Sequence, residues 1–194
     1  MQNEKITVGV LALQGAFIEH EQMIKSLGAN TVELRQKSDL DQKIDAVILP
    51  GGESTVQGKL LNELDMMEPL KAMIKAGKPV LATCAGLILL AEHIEEDDHL
   101  YFGTLPVTVK RNAYGRQLGS FSQNACIAGV TGGEYLMRFI RAPYIAGSTE
   151  QVEVLARDAK NHIVGVRYEN QLAFAFHPEL TGDTRIHESF LNMV

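Results

Sequence analysis

A cysteine on a tight junction between an apolar strand and a helix is a candidate nucleophile, and Cys84 has that setting in Pro79-Val-Leu-Ala-Thr-Cys-Ala-Gly-Leu87. Small residues lie two before it (Ala82), one after it (Ala85) and two after it (Gly86), as closely passing backbones require. The helix that follows would aim its N-terminal amides at the sulfur and favour a thiolate. The backbone N–H of Ala85 would then serve as an oxyanion donor. A free thiol in the core is the commoner fate of a cysteine, and Cys126, which lacks such a context, is read as one.

A thiol nucleophile needs a base, and the base needs a group to orient it. His177-Pro178-Glu179 supplies both types directly after the apolar stretch Leu172–Phe176. On an extended chain, side chains two residues apart leave on the same side, and Pro178 fixes one φ between them. A lone histidine is more often a hydrogen-bonded structural residue; the cysteine elbow makes this one specific. A third segment, Pro50-Gly-Gly-Glu-Ser54, follows a buried strand. Its glycines let backbone approach a ligand, and the Gly52 N–H is a candidate second oxyanion donor. Glu53 and Ser54 could meet a substrate amine, although a plain turn, with Ser54 or Thr55 capping the next helix, explains the same residues. Together the three segments describe acyl transfer through a thioester.

The elements that must hold these residues are legible from apolar spacing. Lys5–Leu13 reads as a strand covered on both faces, Ala16–Leu27 as a helix closed by Gly28, and Thr31–Leu34 and Ala46–Leu49 as strands. A helical segment follows Ser54, and Glu68–Ala76 forms another that Gly77 ends. Val80–Thr83 is a fourth strand, and Ala85–Ile94 a helix leaving it directly. Further on, Pro106–Lys110, Glu134–Arg141, Val152–Arg157, Ile163–Tyr168 and Leu172–Phe176 are strand-like, with a hairpin turn at Asp158–Asn161 and a final amphipathic helix over Asp183–Met193. The alternation predicts a three-layer α/β fold with a mainly parallel, doubly wound sheet and some antiparallel strands in the C-terminal half. No repeat, low-complexity stretch or linker divides the chain, so 1–194 is expected to be a single domain.

The bulk numbers fit that reading. The 194 residues are 45% apolar and 22% charged, ordinary for a globular protein. The net charge of −6 argues against a nucleic-acid backbone as partner. Glu95–Asp98 is expected to be a solvated loop. No apolar run approaches the ~20 residues of a membrane span, and Val8–Leu13 has neither a basic leader nor a cleavage site, so a cytoplasmic protein with reduced thiols is expected. The remaining histidines (His20, His93, His99, His162 and His187) lack ligand spacing, so no metal site is expected.

Four segments also carry a resemblance. Leu11-Ala-Leu-Gln-Gly15, Pro50-Gly-Gly-Glu-Ser-Thr55, Thr83-Cys-Ala-Gly-Leu87 and Phe176-His-Pro-Glu-Leu-Thr181 resemble, in order and spacing, the class I glutamine amidotransferases. Leu13-Gln-Gly-Ala16, Arg111-Asn-Ala-Tyr-Gly-Arg-Gln117 and Phe139-Ile-Arg-Ala-Pro143 narrow it to the glutaminase subunits of pyridoxal 5′-phosphate synthases. The resemblance covers essentially the whole chain and implies a flavodoxin-like fold. It also implies hydrolysis of L-glutamine by Cys84, His177 and Glu179, with Gly52 and Ala85 forming the oxyanion hole. Gly52, Glu53, Ser54, Arg111, Ile140 and Arg141 would line the glutamine site, an arginine fork suiting the α-carboxylate. Gln14 would couple the site to a (β/α)₈-barrel synthase subunit that receives the ammonia, and no cofactor is implied. Ala82 stands where the elbow often has glycine, and the chain stops soon after Phe190, which shortens the last helix. A cysteine peptidase, a glutaminase feeding another synthase and a silent subunit are the alternatives. The arginine segments weigh against the first two, and a complete set of triad residues against the third.

Overall fold

Strands that are apolar on both faces end up in the middle of a covered sheet, and the strands feeding the three chemical segments are of that kind. The computed structural model describes residues 5–115 and 119–194. The first half alternates β1 (Thr7–Leu11), α1 (Phe17–Ser26), β2 (Asn30–Leu34), β3 (Ala46–Leu49), α2 (Ser54–Glu63), α3 (Met67–Lys75), β4 (Val80–Thr83) and α4 (Ala85–Leu90). Then come β5 (Ala91–Ile94), β6 (Leu105–Lys110), β7 (Ser120–Ala125), β8 (Tyr135–Ile140), β9 (Tyr144–Ser148), β10 (Glu153–Arg157), β11 (Ile163–Tyr168), β12 (Gln171–Phe174) and α5 (Arg185–Leu191).

Among the described residues the main sheet runs β2-β1-β3-β4-β12-β11-β9-β6-β5, with β10 beside β11 and a separate β7–β8 ribbon. The first five strands are parallel; from β12 through β11 and β9 to β6 the pairing is antiparallel, and β5 returns parallel to β6. This is the mainly parallel doubly wound sheet expected, with antiparallel strands where they were expected. β3 and β4 are buried at every position, and Ala82 lies opposite Leu49 on one side and Ala173 on the other. Gly86 has a packing reason. A Cβ there would collide with the Leu49 carbonyl oxygen and stand 2.8 Å from its carbon, so α4 seats directly on the end of β3.

Most element boundaries agree with the sequence reading to within about two residues. The largest difference is Ala85–Ile94, expected as one helix. Its first six residues are helical and wholly buried, but Ala91 turns extended (φ −59°, ψ 140°) and Ala91–Ile94 pairs with β6. A partner far along the chain overrides a helix-compatible local pattern there. Two strands lacked a sequence signal: Ser120–Ala125 is polar and only part-buried, and Tyr144–Ser148 ends in Gly-Ser. The hairpin at Asp158–Asn161 is present. Asp158 donates its N–H to the His162 carbonyl at 3.0 Å, and its carboxylate accepts from the backbone N–H groups of Lys160 and His162. Among the described residues no helix is long and apolar enough to cross a membrane. Cys126 is not a core thiol; it follows the end of β7 and is exposed, because the ribbon's outward positions face solvent.

Candidate active site

β4 delivers Cys84 to α4 through a backbone turn that non-glycine residues seldom adopt: φ is +49° and ψ −101°. Such a conformation costs about 1–3 kcal/mol and persists only where the surroundings impose it. Here β12 imposes it, since the Cys84 N–H donates to the Phe174 carbonyl at 2.8 Å while Gly86 fits against β3. The thiol is nearly buried and stands 3.9 Å from the Ile140 carbonyl oxygen at the end of β8.

His177 is on the connection leaving β12, where its N–H donates to the Arg138 carbonyl of β8 at 2.8 Å. Its imidazole lies beside the Cys84 thiol, close enough for the two to interact electrostatically, and its Nδ1 meets Glu179 Oε1 at 2.7 Å. Burial alone would push this imidazole down. The hydrogen bonds and charges of Cys84 and Glu179 outweigh it and bring His177 up to about 10. The segment is not the extended strand that sequence spacing suggested. Residues Pro178–Leu180 form a 3₁₀ turn with proline at its start, and the turn brings the carboxylate back onto the ring.

The raised value has a stability consequence with a definite sign. A histidine that binds its proton more tightly when folded adds stability fully present below its unfolded value near 6.5 and lost as pH rises through about 10. Wild type is therefore expected to melt above a Glu179→Gln variant by a margin that is widest below pH 6.5 and shrinks steadily towards pH 10. Thermal midpoints across that range check it; a constant margin would mean that His177 carries no extra proton.

The glycine segment is held from two sides. The Gly51 carbonyl accepts from the Ala16 N–H at 3.0 Å, and the Gly51 N–H donates to Thr83 Oγ1 at 3.0 Å. Gln14 Oε1 accepts from the Glu53 N–H at 2.7 Å, and Gln57 Nε2 donates to the carbonyls of Gln14 and Pro50. Ser54 was a possible helix cap, but Glu53 takes that position without a side-chain cap bond, and Ser54 Oγ is buried without a partner. Arg111 Nη1 donates to Asp97 at 3.0 Å, and its Nη2 approaches Glu53 at 3.3 Å. Glu95–Asp98 is thus more than a solvated loop.

These groups surround one cavity of about 380 Å³. Cys84, His177 and Ile88 line it together with Gln14, with Gly52, Glu53 and Ser54 of the glycine segment, and with Arg111, Asn112, Ile140 and Arg141. A cysteine beside an imidazole that a carboxylate orients, lining a cavity with both charges around it, can cleave a small carboxamide. A family model for the SNO glutamine amidotransferase family matches residues 10–194. The chain belongs to the SNO glutamine amidotransferase family. Among curated relatives of this amidotransferase, the pyridoxal 5′-phosphate synthase subunit PdxT of Desulfitobacterium hafniense (strain Y51) is 60% identical over 187 residues, covering 96% of this chain and 92% of that one. PdxT of Bifidobacterium longum (strain NCC 2705) is 51% identical, covering 95% and 99%. A crystal structure of a glutamine amidotransferase matches with a TM-score of 0.89 at 42% identity, covering 96% of this chain and 97% of that one.

Nearly every expected site residue of this amidotransferase lies in or against that cavity. Glu179 is behind the wall on His177, and Ala85 is buried beside Cys84. Arg116 and Gln117, part of the segment that narrowed the resemblance, lie outside the described residues. Among the described residues no group of three or more His, Cys, Asp or Glu side chains could hold a metal ion. Sequence reasoning missed Thr83, Gln57, Asp97 and His20. The signal for His20 was present: it occupies a core-facing position of α1 together with Met23 and Ile24, where a polar side chain needs a buried partner.

Proposed function

We propose that this chain hydrolyses L-glutamine to L-glutamate and ammonia through Cys84, His177 and Glu179, and passes the ammonia to a (β/α)₈-barrel subunit that makes pyridoxal 5′-phosphate. The observation that carries the reading is His177, bonded to a buried carboxylate and lining one cavity together with a cysteine held at a strained backbone turn. The synthase is inferred from the name borne by relatives at 51–60% identity. We read 1–194 as one catalytic domain that needs no cofactor.

The Cys84 sulfur attacks the side-chain carboxamide carbon, and the N–H groups of Gly52 and Ala85 hold the oxyanion. His177 gives its proton to the departing nitrogen, so ammonia leaves and a thioester remains. His177 then takes a proton from water as the water attacks the thioester, and glutamate leaves as the thiol reforms. Glu53 faces the substrate ammonium and Arg111 with Arg141 its α-carboxylate, while Ser54 Oγ gains the partner it lacks. Because Arg111 already bonds Asp97 and Glu53, the substrate brings both charges to a rim that is balanced without it. Gln14, bonded to the Glu53 N–H, transmits docking of the barrel subunit to the glycine segment.

Glutamate release from glutamine, with and without the synthase subunit from the same cell, tests the reading. Low release alone that rises at least tenfold on adding the partner is the expected result (order of magnitude as for assembly of an oxyanion hole). No release in either condition from folded protein would overturn it.

A further inference from the structure

Glu179 has two oxygens, and the triad uses one. Oε1 meets His177; Oε2 is buried with no hydrogen-bond partner among the described residues, and His20 Nε2 of α1 stands 3.4 Å away. The same His20 nitrogen lies 3.1 Å from Thr83 Oγ1, which also accepts the Gly51 N–H. On its far side His20 Nδ1 meets His187 Nε2 of α5 at 2.9 Å. All three residues, His20, Thr83 and His187, are completely inaccessible to solvent.

We propose that His20, held by His187, is a positioning residue that fixes the triad carboxylate and the glycine segment relative to one another. The proposal rests on the Cys84–His177–Glu179 reading and extends it inward.

The proton positions follow from the partners. Burial is the main cause that drives both imidazoles down, His20 well below the ordinary value and His187 to about 4, so each carries one proton at neutral pH. A nearby ionised carboxylate oxygen favours an N–H facing it, which puts the His20 proton on Nε2, donated to Thr83 Oγ1 with Glu179 Oε2 3.4 Å away. His20 Nδ1 must then accept, so the His187 proton is on its Nε2. The atom left over is His187 Nδ1, a bare lone pair, which is buried without a partner. This assignment turns an N–H, not a lone pair, towards the Glu179 carboxylate oxygen. The opposite tautomer would turn the Nε2 lone pair towards the carboxylate oxygen 3.4 Å away, a repulsive arrangement between side chains closed to solvent. Because His20 Nε2 bonds Thr83 Oγ1 and packs 3.4 Å from Glu179 Oε2, a shift of α1 moves the base's orienting group and the Gly51 loop together.

A matched pair of amide variants tests this. The glutamine amide reaches the position of the histidine Nε2, and the shorter asparagine amide only that of Nδ1. Glutamate release is measured with the synthase subunit saturating, alongside Cys84→Ala as control. His20→Asn is expected to lower kcat about 30-fold with KM changed less than about threefold, since the loss falls on alignment in the transition state. His20→Gln is expected to retain kcat within about threefold at a similar melting temperature. Equal losses in the two variants, in kcat or in folding, would make His20 a structural residue and overturn the proposal. So would an unchanged kcat in His20→Asn. Should Cys84→Ala itself turn over, the triad reading falls; an inactive Cys84→Ala beside a fully active His20→Asn removes only the role given to His20.

Discussion

Cys84→Ala should release no glutamate above background, a loss of about 10⁴-fold or more, while folding as wild type does. The size follows from where the sulfur sits. Ser54, the other hydroxyl or thiol in the lining, has no hydrogen-bonded base, and Cys126 is exposed after β7 and does not line the cavity. Folding should survive because alanine accepts the same +49° φ at a similar cost, and the bonds that impose it come from backbone atoms of Phe174 and the packing of Gly86. Glutamate release and a melting curve on one preparation are sufficient. Release at even a hundredth of the wild-type rate would remove Cys84 as the attacking atom.

Gly51→Ala should be almost as damaging to turnover for a different reason. Gly51 does not have a left-handed φ, so alanine meets no conformational penalty in the backbone. Its new methyl would overlap His177 Cε1, and it would stand 2.9 Å from Nδ1 and 3.3 Å from Cys84 Cβ. The ring, pinned behind by Glu179, must tilt away from the thiol or the loop must lift. An overpacked contact of this kind costs about 1–3 kcal/mol in stability. A displacement of about 1 Å between reacting groups costs ~10²-fold in rate. The expected outcome is a folded protein with kcat down at least about 100-fold and glutamine binding much less affected. Wild-type kcat would mean that His177 and Gly51 separate during turnover.

The parts legible in the sequence were those whose signal is local. Cys84 announced itself by the small residues around it, and Gly28 and Gly77 by their places after helices, where both have positive φ. His177 and Glu179 were found as a pair, yet their geometry was read from the wrong backbone: a 3₁₀ turn, not a strand, brings them together. What could not be read depends on contacts across the chain. Ala91–Ile94 is a strand because Leu105–Lys110 lies beside it, and its own residues suit a helix. His20 and His187 are 167 positions apart and touch at 2.9 Å, a relation that spacing along the chain cannot express. Cys126 was misjudged because it follows β7, a mostly polar strand whose alternate residues face solvent, and which of its positions face outwards depends on pairing with β8.

The cavity's walls come from two parts of the sheet. Cys84, His177 and the glycine segment follow β4, β12 and β3, adjacent parallel strands at its buried centre. Arg111, Ile140 and Arg141 follow β6 and β8, in the mixed outer region and the separate ribbon. The cysteine and its base, and the arginines among the cavity's lining, therefore come from different parts of the sheet. Substitutions over 105–144 can retune which carboxamide enters while the strands under the thiol stay as they are, and a lineage can change its nitrogen donor without reinventing how nitrogen is released.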